Sequence, residues 1–173
     1  MKRRGKKMLP KNKQTTCKFC RFVKGKSQTH ANGLPFLTLH RTRHSIAFQS
    51  EDLPQGKDAH ILVIPKAHYP ELTNMPPEVL HDVIDHVQLA ARIITKTHGG
   101  CNVLLNNGKS AGQYVFHAHF HIIPRDAKDH IEIERWKRVA INRKKFLALH
   151  EKLKKQFQHV SVRPKSLKTK NRK

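Results

Sequence analysis

The stretch His117-Ala118-His119-Phe120-His121-Ile122-Ile123 decides the fold. It is typical of a β-strand running from Tyr114 to Ile123 and ended by Pro124. Because side chains alternate between the two faces of a strand, the three histidines would project from one face. Each imidazole needs partners for two ring nitrogens, so this face indicates a functional site. A three-histidine metal site and a purely structural strand are the alternatives.

Upstream of that stretch, hydrophobic patterns predict further elements. His60-Ile61-Leu62-Val63-Ile64-Pro65 is a β-branched run of strand length, with apolar contacts on both faces, as expected at the centre of a sheet. A helix is predicted after a cap at Thr73 or Asn74, because apolar residues then recur at steps of three and four. Its polar positions, including Asp82 and His86, are predicted to face solvent. The remaining predicted strands are 36–40, 45–48 and 102–105.

Charge is concentrated at the two ends of this 173-residue chain, which has 35 Lys and Arg against 12 Asp and Glu and a formal net charge of +23. Residues 1–14 include seven basic residues and no acidic one, and residues 143–173 include twelve basic residues and one acidic one. Blocks of like charge repel themselves and bury little. We therefore expect a basic disordered arm at 1–14, a folded domain at 15–130, a basic amphipathic helix at 131–158 and a basic tail at 159–173.

The basic ends predict contact with a polyanion such as RNA or DNA, and the alternative is a role in solubility or nuclear targeting. No apolar run exceeds the four residues of Ile61–Ile64, whereas a membrane-spanning helix needs roughly 20. The N-terminus also lacks the apolar core of a signal peptide. We expect an intracellular protein, cytoplasmic or nuclear, without membrane contact.

The three cysteines are too few for a disulfide scaffold. Cys17 and Cys20 are separated by two residues, a spacing that in a reducing compartment indicates metal or redox chemistry more often than a bridge. Two unlinked buried thiols are the alternative. Cys101 stands alone and is predicted to be a small buried residue.

The histidine-rich stretch has two further motifs around it. His60-Ile61-Leu62-Val63-Ile64-Pro65-Lys66-Ala67-His68 lies upstream, and Asn106-Asn107-Gly108 followed by Gly112-Gln113 lies just before it. With these motifs the chain, from about Cys17 to Arg125, resembles the histidine triad (HIT) family of nucleotide hydrolases and transferases. The resemblance implies an α+β fold with an antiparallel sheet of about five strands and one long helix. It also implies a homodimer.

The resemblance implies a two-step reaction that needs no cofactor. His119 would attack an α-phosphorus and form a nucleotidyl-histidine intermediate that water then cleaves. His121 would hydrogen-bond the phosphate oxygens and stabilise developing charge. His117 would fix the geometry of His119, and His60 would orient groups or relay protons near the base of the site.

The resemblance assigns phosphate binding to the glycine-rich loop before the triad. Asn106, Gly112 and Gln113 would position the phosphate together with His119 and His121. Tyr114 stands where relatives carry a serine or threonine that helps to protonate the leaving group. A phenol is larger and reaches a different point, so we expect an altered leaving-group preference.

The resemblance also implies an apolar cleft for a purine base. The residues that correspond to it are Phe19, Phe22 and Phe48, for which a plain core role is the alternative. An acid usually follows two residues after the last of these phenylalanines and binds the ribose, but this chain has Ser50 there. Glu51 and Asp52 follow at once, so any of the three could contact the ribose, and Asp52 is taken as the candidate.

In one branch of the family, a Cys-x-x-Cys pair completes a structural zinc site with two histidines. Carried over to this chain, the ligands are Cys17, Cys20, His68 and His117. Such a Cys2His2 set leaves no open coordination position, which is typical of structural zinc. The metal would then support the fold and take no part in the phosphoryl chemistry.

Two functions follow from these patterns. The first is an enzyme that hydrolyses a nucleoside phosphoramidate, an acyl-nucleotide or a dinucleoside polyphosphate and releases the nucleoside monophosphate. The second is a nucleic-acid-binding protein in which the basic tails make the contacts and the triad domain is a weakly active or inactive nucleotide-sensing module.

Overall fold

A computed structural model of the chain describes residues 16–30, 32–133 and 140–158. Five strands of this part form one antiparallel sheet in the order β1-β2-β3-β5-β4. The strands are β1 (Thr38–Arg41), β2 (Ser45–Gln49), β3 (Ile61–Pro65), β4 (Gly100–Leu105) and β5 (Phe120–Arg125). The α-helices are α1 (Lys18–Val23), α2 (Pro77–Ile94) and α3 (Arg143–Gln158). The predicted α+β fold with one long helix is confirmed.

Strand β3 lies at the centre of the sheet, as its apolar run predicts. Val63 pairs with Ala47 of β2 on one side and with Phe120 of β5 on the other. All five residues of β3 are buried. Since both neighbouring strands satisfy its backbone groups, β3 can be apolar throughout.

The sheet separates two apolar layers, and β3 contributes to both. Ile61 and Val63 pack with Val79, Val83 and Val87 of α2, so the long helix covers this face. On the other face, α1 packs against the sheet through an aromatic cluster. That layer consists of Phe19, Phe22, Phe36, Ile46, Phe48, Leu62 and Ile64. Burying each such side chain contributes about 1.5–3 kcal/mol, so both layers hold the short helix and the long helix to the sheet.

The histidine-rich strand begins later than predicted. β5 starts at Phe120, and residues 115–117 form a bend before it. The backbone N–H of His117 donates to the carbonyl of Val115 at 2.8 Å, and that of Ala118 donates to the carbonyl of Tyr69 at 2.7 Å. The prediction that one strand from Tyr114 to Ile123 carries all three histidines is therefore wrong, although the rings of His117 and His119 both contact Phe19 on the α1 side of the sheet.

The start of α2 also differs from the prediction. Pro76 occupies the N-cap position and Pro77 begins the helix, without a side-chain capping bond. Thr73 and Asn74 lie in a preceding 3-10 turn. Pro77 fits because the first turn of a helix does not need its N–H and because its φ is already helical.

Two polar residues of α2 are not solvated as predicted. His86 is 2% exposed, and its Nδ1 lies 2.8 Å from Ser45 Oγ. Asp82 accepts hydrogen bonds from Ser45 Oγ at 2.7 Å and from the His44 backbone N–H at 3.2 Å. The turn between β1 and β2 packs on this side of α2, so His86 has protein partners instead of water, while Asp82 stays partly exposed.

The chain divides into two compact units after Ile131, and α3 belongs to the second. This helix occupies the C-terminal part of the range predicted to be helical. It has six Lys or Arg residues and one Glu, and all its side chains are exposed. No helix in the described residues is both long and apolar enough to cross a membrane. The segments 1–14 and 159–173 lie outside the described residues, so their contact with RNA or DNA stays a prediction.

Candidate active site

A cleft of about 200 Å³ opens beside α1 and the C-terminal end of β2. Three of the four predicted catalytic histidines line it, namely His60, His119 and His121. The predicted nucleotide-binding residues on its walls are Phe19, Asp52, Asn106, Gly112 and Tyr114. These residues are far apart in sequence, and the sheet brings them together.

The ring of His119 is held in one orientation at the cleft. It is 7% exposed and meets the Phe19 ring edge-to-face, with 5.5 Å between the ring centroids. Its Nδ1 lies 2.7 Å from the main-chain carbonyl of His117. A carbonyl can only accept, so Nδ1 carries the proton and Nε2 keeps its lone pair. Burial lowers the pKa of His119, which keeps the ring neutral near pH 7.

His121 and His60 form a hydrogen-bonded pair next to His119. His60 Nδ1–H donates to the main-chain carbonyl of Asp52, which leaves Nε2 of His60 as an acceptor. His121 Nδ1 lies 3.0 Å from that Nε2 and supplies the proton. Burial, followed by the neighbouring His119 and His60, lowers the pKa of His121 to about 4. The lone pair of His121 is therefore also on Nε2.

The loop before the triad is fixed by Gln113. This side chain is 3% exposed and accepts a hydrogen bond from the Gly108 N–H at 2.8 Å through Oε1. Its Nε2 donates to the carbonyls of Pro70 at 2.6 Å and Val115 at 3.1 Å. Gln113 thus holds the loop from behind and does not line the cleft. Gly112 adopts φ 82°, a left-handed conformation that glycine permits at little cost.

The aromatic residues predicted to bind the base lie at two depths. Phe19 lines the cleft, whereas Phe22 and Phe48 are packed behind it in the apolar layer of the sheet. Ser50, Glu51 and Asp52 all reach the cleft wall. Ser50 Oγ accepts a hydrogen bond from the Asp52 N–H at 3.2 Å, so this hydroxyl stabilises the turn.

The four predicted metal ligands lie close together in the structure. One donor atom from each of Cys17, Cys20, His68 and His117 lies within 4.8 Å of the others. Cys20 Sγ is 3.2 Å from His68 Nδ1 and 3.5 Å from His117 Nδ1. In tetrahedral zinc sites, Zn–S near 2.3 Å and Zn–N near 2.0 Å place sulfur and nitrogen about 3.6 Å apart. The spacing fits a zinc ion.

The tautomer of His117 fits a metal as well. Its Nε2 lies 2.8 Å from the main-chain carbonyl of Pro65 and therefore carries the proton. The lone pair on Nδ1 points to Cys17 and Cys20, each 3.5 Å away. This carbonyl fixes the ring in the way that second-shell groups fix histidine ligands in metal sites. His117 is not one of the described residues that line the cleft.

Lys18 and His30, which lie next to Glu51 in the cleft wall, were not predicted as nucleotide contacts. Lys18 Nζ lies 3.1 Å from Glu51 Oε1, and His30 Nδ1 lies 3.5 Å from the same oxygen. All three line the cleft. Only the position of Lys18 inside the Cys-x-x-Cys segment gives a signal in the sequence, because a neighbour of a metal ligand is held near the site. Nothing in the sequence indicates His30.

Comparison with known proteins supports the family that the sequence motifs indicate. The model of the HIT domain family matches residues 39–128. An adenosine 5′-monophosphoramidase of Candida albicans is 34% identical over 152 residues, covering 84% of this chain and 93% of the relative. An adenylylsulfatase of Arabidopsis thaliana is 38% identical over 119 residues, covering 67% of this chain. The match spans only 55% of that plant protein.

Solved structures show the same fold. A histidine triad nucleotide-binding protein from Candida albicans has a TM-score of 0.70 at 32% identity and covers 84% of this chain and 100% of its own. A zinc-bound histidine triad family protein from Mycobacterium smegmatis has a TM-score of 0.59 at 28% identity, covering 84% and 97%. Together with the five-stranded sheet and the two motifs around the histidine-rich stretch, these matches show that the chain belongs to the HIT, or histidine triad, family.

Proposed function

We propose that this protein is a nucleotide hydrolase or transferase that attacks an α-phosphate through His119. One observation carries this proposal. The Nδ1–H of His119 is committed to the His117 carbonyl, so the ring presents an unprotonated Nε2 at a cleft. A neutral imidazole with its lone pair facing the substrate is a competent nucleophile.

The reaction has two displacements. In the first, the Nε2 lone pair of His119 bonds to the α-phosphorus while the bond between phosphorus and the leaving group breaks. The leaving group departs with that electron pair and takes up a proton. In the second, water adds to the phosphorus, the P–N bond breaks, and its electrons return to Nε2. Water loses a proton and the nucleoside monophosphate is released. Each displacement is easier than one direct attack by water.

His121 acts on the phosphate. A phosphate anion in the cleft favours a proton on Nε2 of His121, because it opposes the burial that lowers the pKa of this ring. The protonated ring then donates to a phosphate oxygen while Nδ1 stays bonded to His60. Asn106 and the N–H groups near Gly112 position the same phosphate.

The substrate is a nucleotide whose α-phosphate carries a leaving group. The adenosine 5′-monophosphoramidase and adenylylsulfatase names of the relatives support this class. We propose a nucleoside phosphoramidate, an acyl-nucleotide or a dinucleoside polyphosphate, with release of the nucleoside monophosphate. Tyr114, which is 95% exposed at the cleft, stands where the family resemblance implies a serine or threonine. We therefore expect the substrate of this protein to differ from those of its relatives mainly in the leaving group.

Zinc would serve the fold. Cys17, Cys20, His68 and His117 would hold it, and the zinc-bound relative from Mycobacterium smegmatis supports this choice of metal. Bound zinc would stabilise two thiolates and fix the start of α1 to the segment before β5. Since all four donors come from protein, no position is left for substrate.

The test is a fluorogenic nucleoside phosphoramidate assay on the full chain, with intact-mass detection of the adduct. Wild-type protein should turn over the substrate and gain the mass of one nucleotidyl group. His119→Ala should lose the adduct and at least about 10³-fold in turnover, because the nucleophile is absent. His81→Ala, on the exposed side of α2, is the matched control. Undiminished turnover by His119→Ala would refute the proposal.

A further inference from the structure

One wall of the cleft has charged side chains that the reaction above does not use. Lys18 in α1 and Glu51 after β2 form an ion pair across this wall, with Nζ 3.1 Å from Oε1. The Glu51 side chain is only 13% exposed. Burial raises the pKa of Glu51, but the hydrogen bond with Lys18 and the charge of Lys18 have the opposite effect. The pKa of Glu51 therefore lies below its usual value, and the carboxylate stays ionised.

His30 belongs to the same group of side chains in the cleft wall. The His30 side chain is 3% exposed, and its Nδ1 lies 3.5 Å from Glu51 Oε1. Lys18 and His30 therefore approach the same oxygen of Glu51, which holds the carboxylate in place at the cleft.

A carboxylate in this position cannot serve the phosphate, because both are anions. With the α-phosphate at His119, the rest of a nucleotide would lie against the other walls of the cleft, which include Phe19, Lys18 and Glu51. The ion pair is therefore available to the nucleoside, either at the base or at the ribose.

The order of hydrogen-bonding groups favours one base. Lys18 Nζ is a donor and lies 3.1 Å from Glu51 Oε1, which is an acceptor, and the Glu51 carboxylate has a second oxygen that also accepts. The Watson–Crick edge of guanine presents the complement, with O6 as acceptor and N1–H and the 2-amino group as donors. Adenine presents its 6-amino donor next to the N1 acceptor, which opposes both protein groups.

We propose that Lys18 and Glu51 form a guanine-selective base site, so that the preferred substrates are guanosine nucleotide conjugates. Glu51 accepts from N1–H and the 2-amino group, and Lys18 donates to O6. Hydrogen bonds to charged groups are the stronger kind, and a site built for them rejects a base that leaves them unpaired. This inference rests on the proposed nucleotide chemistry and adds the base to it.

The experiment compares guanosine, inosine and adenosine phosphoramidates on the full chain. We expect kcat/KM to be at least about tenfold higher for guanosine than for adenosine, with inosine between them because it lacks the 2-amino group. Glu51→Gln should reduce the guanosine-to-adenosine ratio by about tenfold or more. Lys18→Met should lower kcat/KM for guanosine and inosine alike. Glu78→Gln and Lys96→Ala, on the exposed surface, should keep the wild-type ratio.

Two results would overturn the inference. One is equal kcat/KM for guanosine and adenosine in the wild type. The other is a Glu51→Gln protein in which all three substrates lose the same factor, which would assign the carboxylate to the ribose. If the wild type cleaves none of the substrates, the proposed function fails, and calorimetric titration with GMP and AMP decides the inference separately. Tighter binding of GMP that Glu51→Gln removes supports it, and equal or absent binding refutes it.

Discussion

The three histidines within residues 117–121 belong to two groups of side chains, and each group is suited to different chemistry. His117 joins His68 and two thiols, whereas His119 and His121 join His60 at the cleft. Burial lowers the pKa in both groups. The difference lies in the ring nitrogen that is bonded to a main-chain carbonyl, which is Nε2 in His117 and Nδ1 in His119. The free nitrogen then faces either sulfur or the cleft, so tautomer and surroundings decide what each histidine can do.

We expect His121→Ala to distinguish the two groups of histidines with the largest effect, which is a loss of activity without a loss of metal. Removing one charge-stabilising donor typically costs 10²–10³-fold in kcat, so we expect a loss of about that size. The metal content should stay at the wild-type level, because His121 is not part of the sulfur-containing group. Steady-state kinetics and elemental analysis on the same preparation check both points. Loss of metal together with activity would mean that the two groups act as one.

A smaller effect, on stability, is expected from Cys20→Ser. The variant should lose bound zinc and lower the thermal midpoint by about 10 °C, because metal binding contributes to folding free energy. Turnover measured well below the midpoint should fall less than in His121→Ala. Cys101→Ser is the matched control, since Cys101 is half-buried and lies outside the ligand group. A Cys20→Ser protein with full zinc and an unchanged midpoint would leave only unlinked thiols.

The smallest effect is the pH dependence of stability. His60 and His121 have pKa values below the usual 6.5 in the folded state because they are buried. The unfolded chain therefore binds more protons as the pH falls below 6.5, and stability is lost from there toward about pH 4. Each such histidine should contribute about 1 kcal/mol per pH unit in this window.

Denaturant unfolding at pH 7.5, 6.0 and 5.0 measures this slope. His121→Gln should make the slope shallower, whereas His81→Gln, exposed on α2, should leave it unchanged. A slope that does not respond to His121→Gln would show that burial is not what keeps this ring neutral.

The sequence predicts the frame of the molecule well. The apolar run ending at Pro65 predicted the central strand, and the spacing of apolar residues predicted α2. These features depend on period and composition, which are visible in one sequence. The predicted ligand group also comes together, because its histidines are anchored next to β3 and β5.

The remaining features depend on tertiary contacts. The segment that contains His117 lies outside β5 and is held by a hydrogen bond from the Ala118 N–H to the Tyr69 carbonyl, which no local pattern indicates. His86 is buried because a turn between two strands packs on it. Phe22 and Phe48 have the composition of a binding wall and of a core alike, and only packing places them behind Phe19. The homodimer and the role of the basic ends stay predictions.

The carbonyls that fix these rings belong to Pro65, Asp52 and His117. Every amino acid carries the same carbonyl, so replacing the side chains of Pro65 or Asp52 leaves these contacts chemically intact. Scanning mutagenesis would therefore overlook them, and aligned sequences would carry no trace of them. Only a shift in the path of the backbone, such as an inserted or deleted residue next to β3, could reassign the proton on each ring.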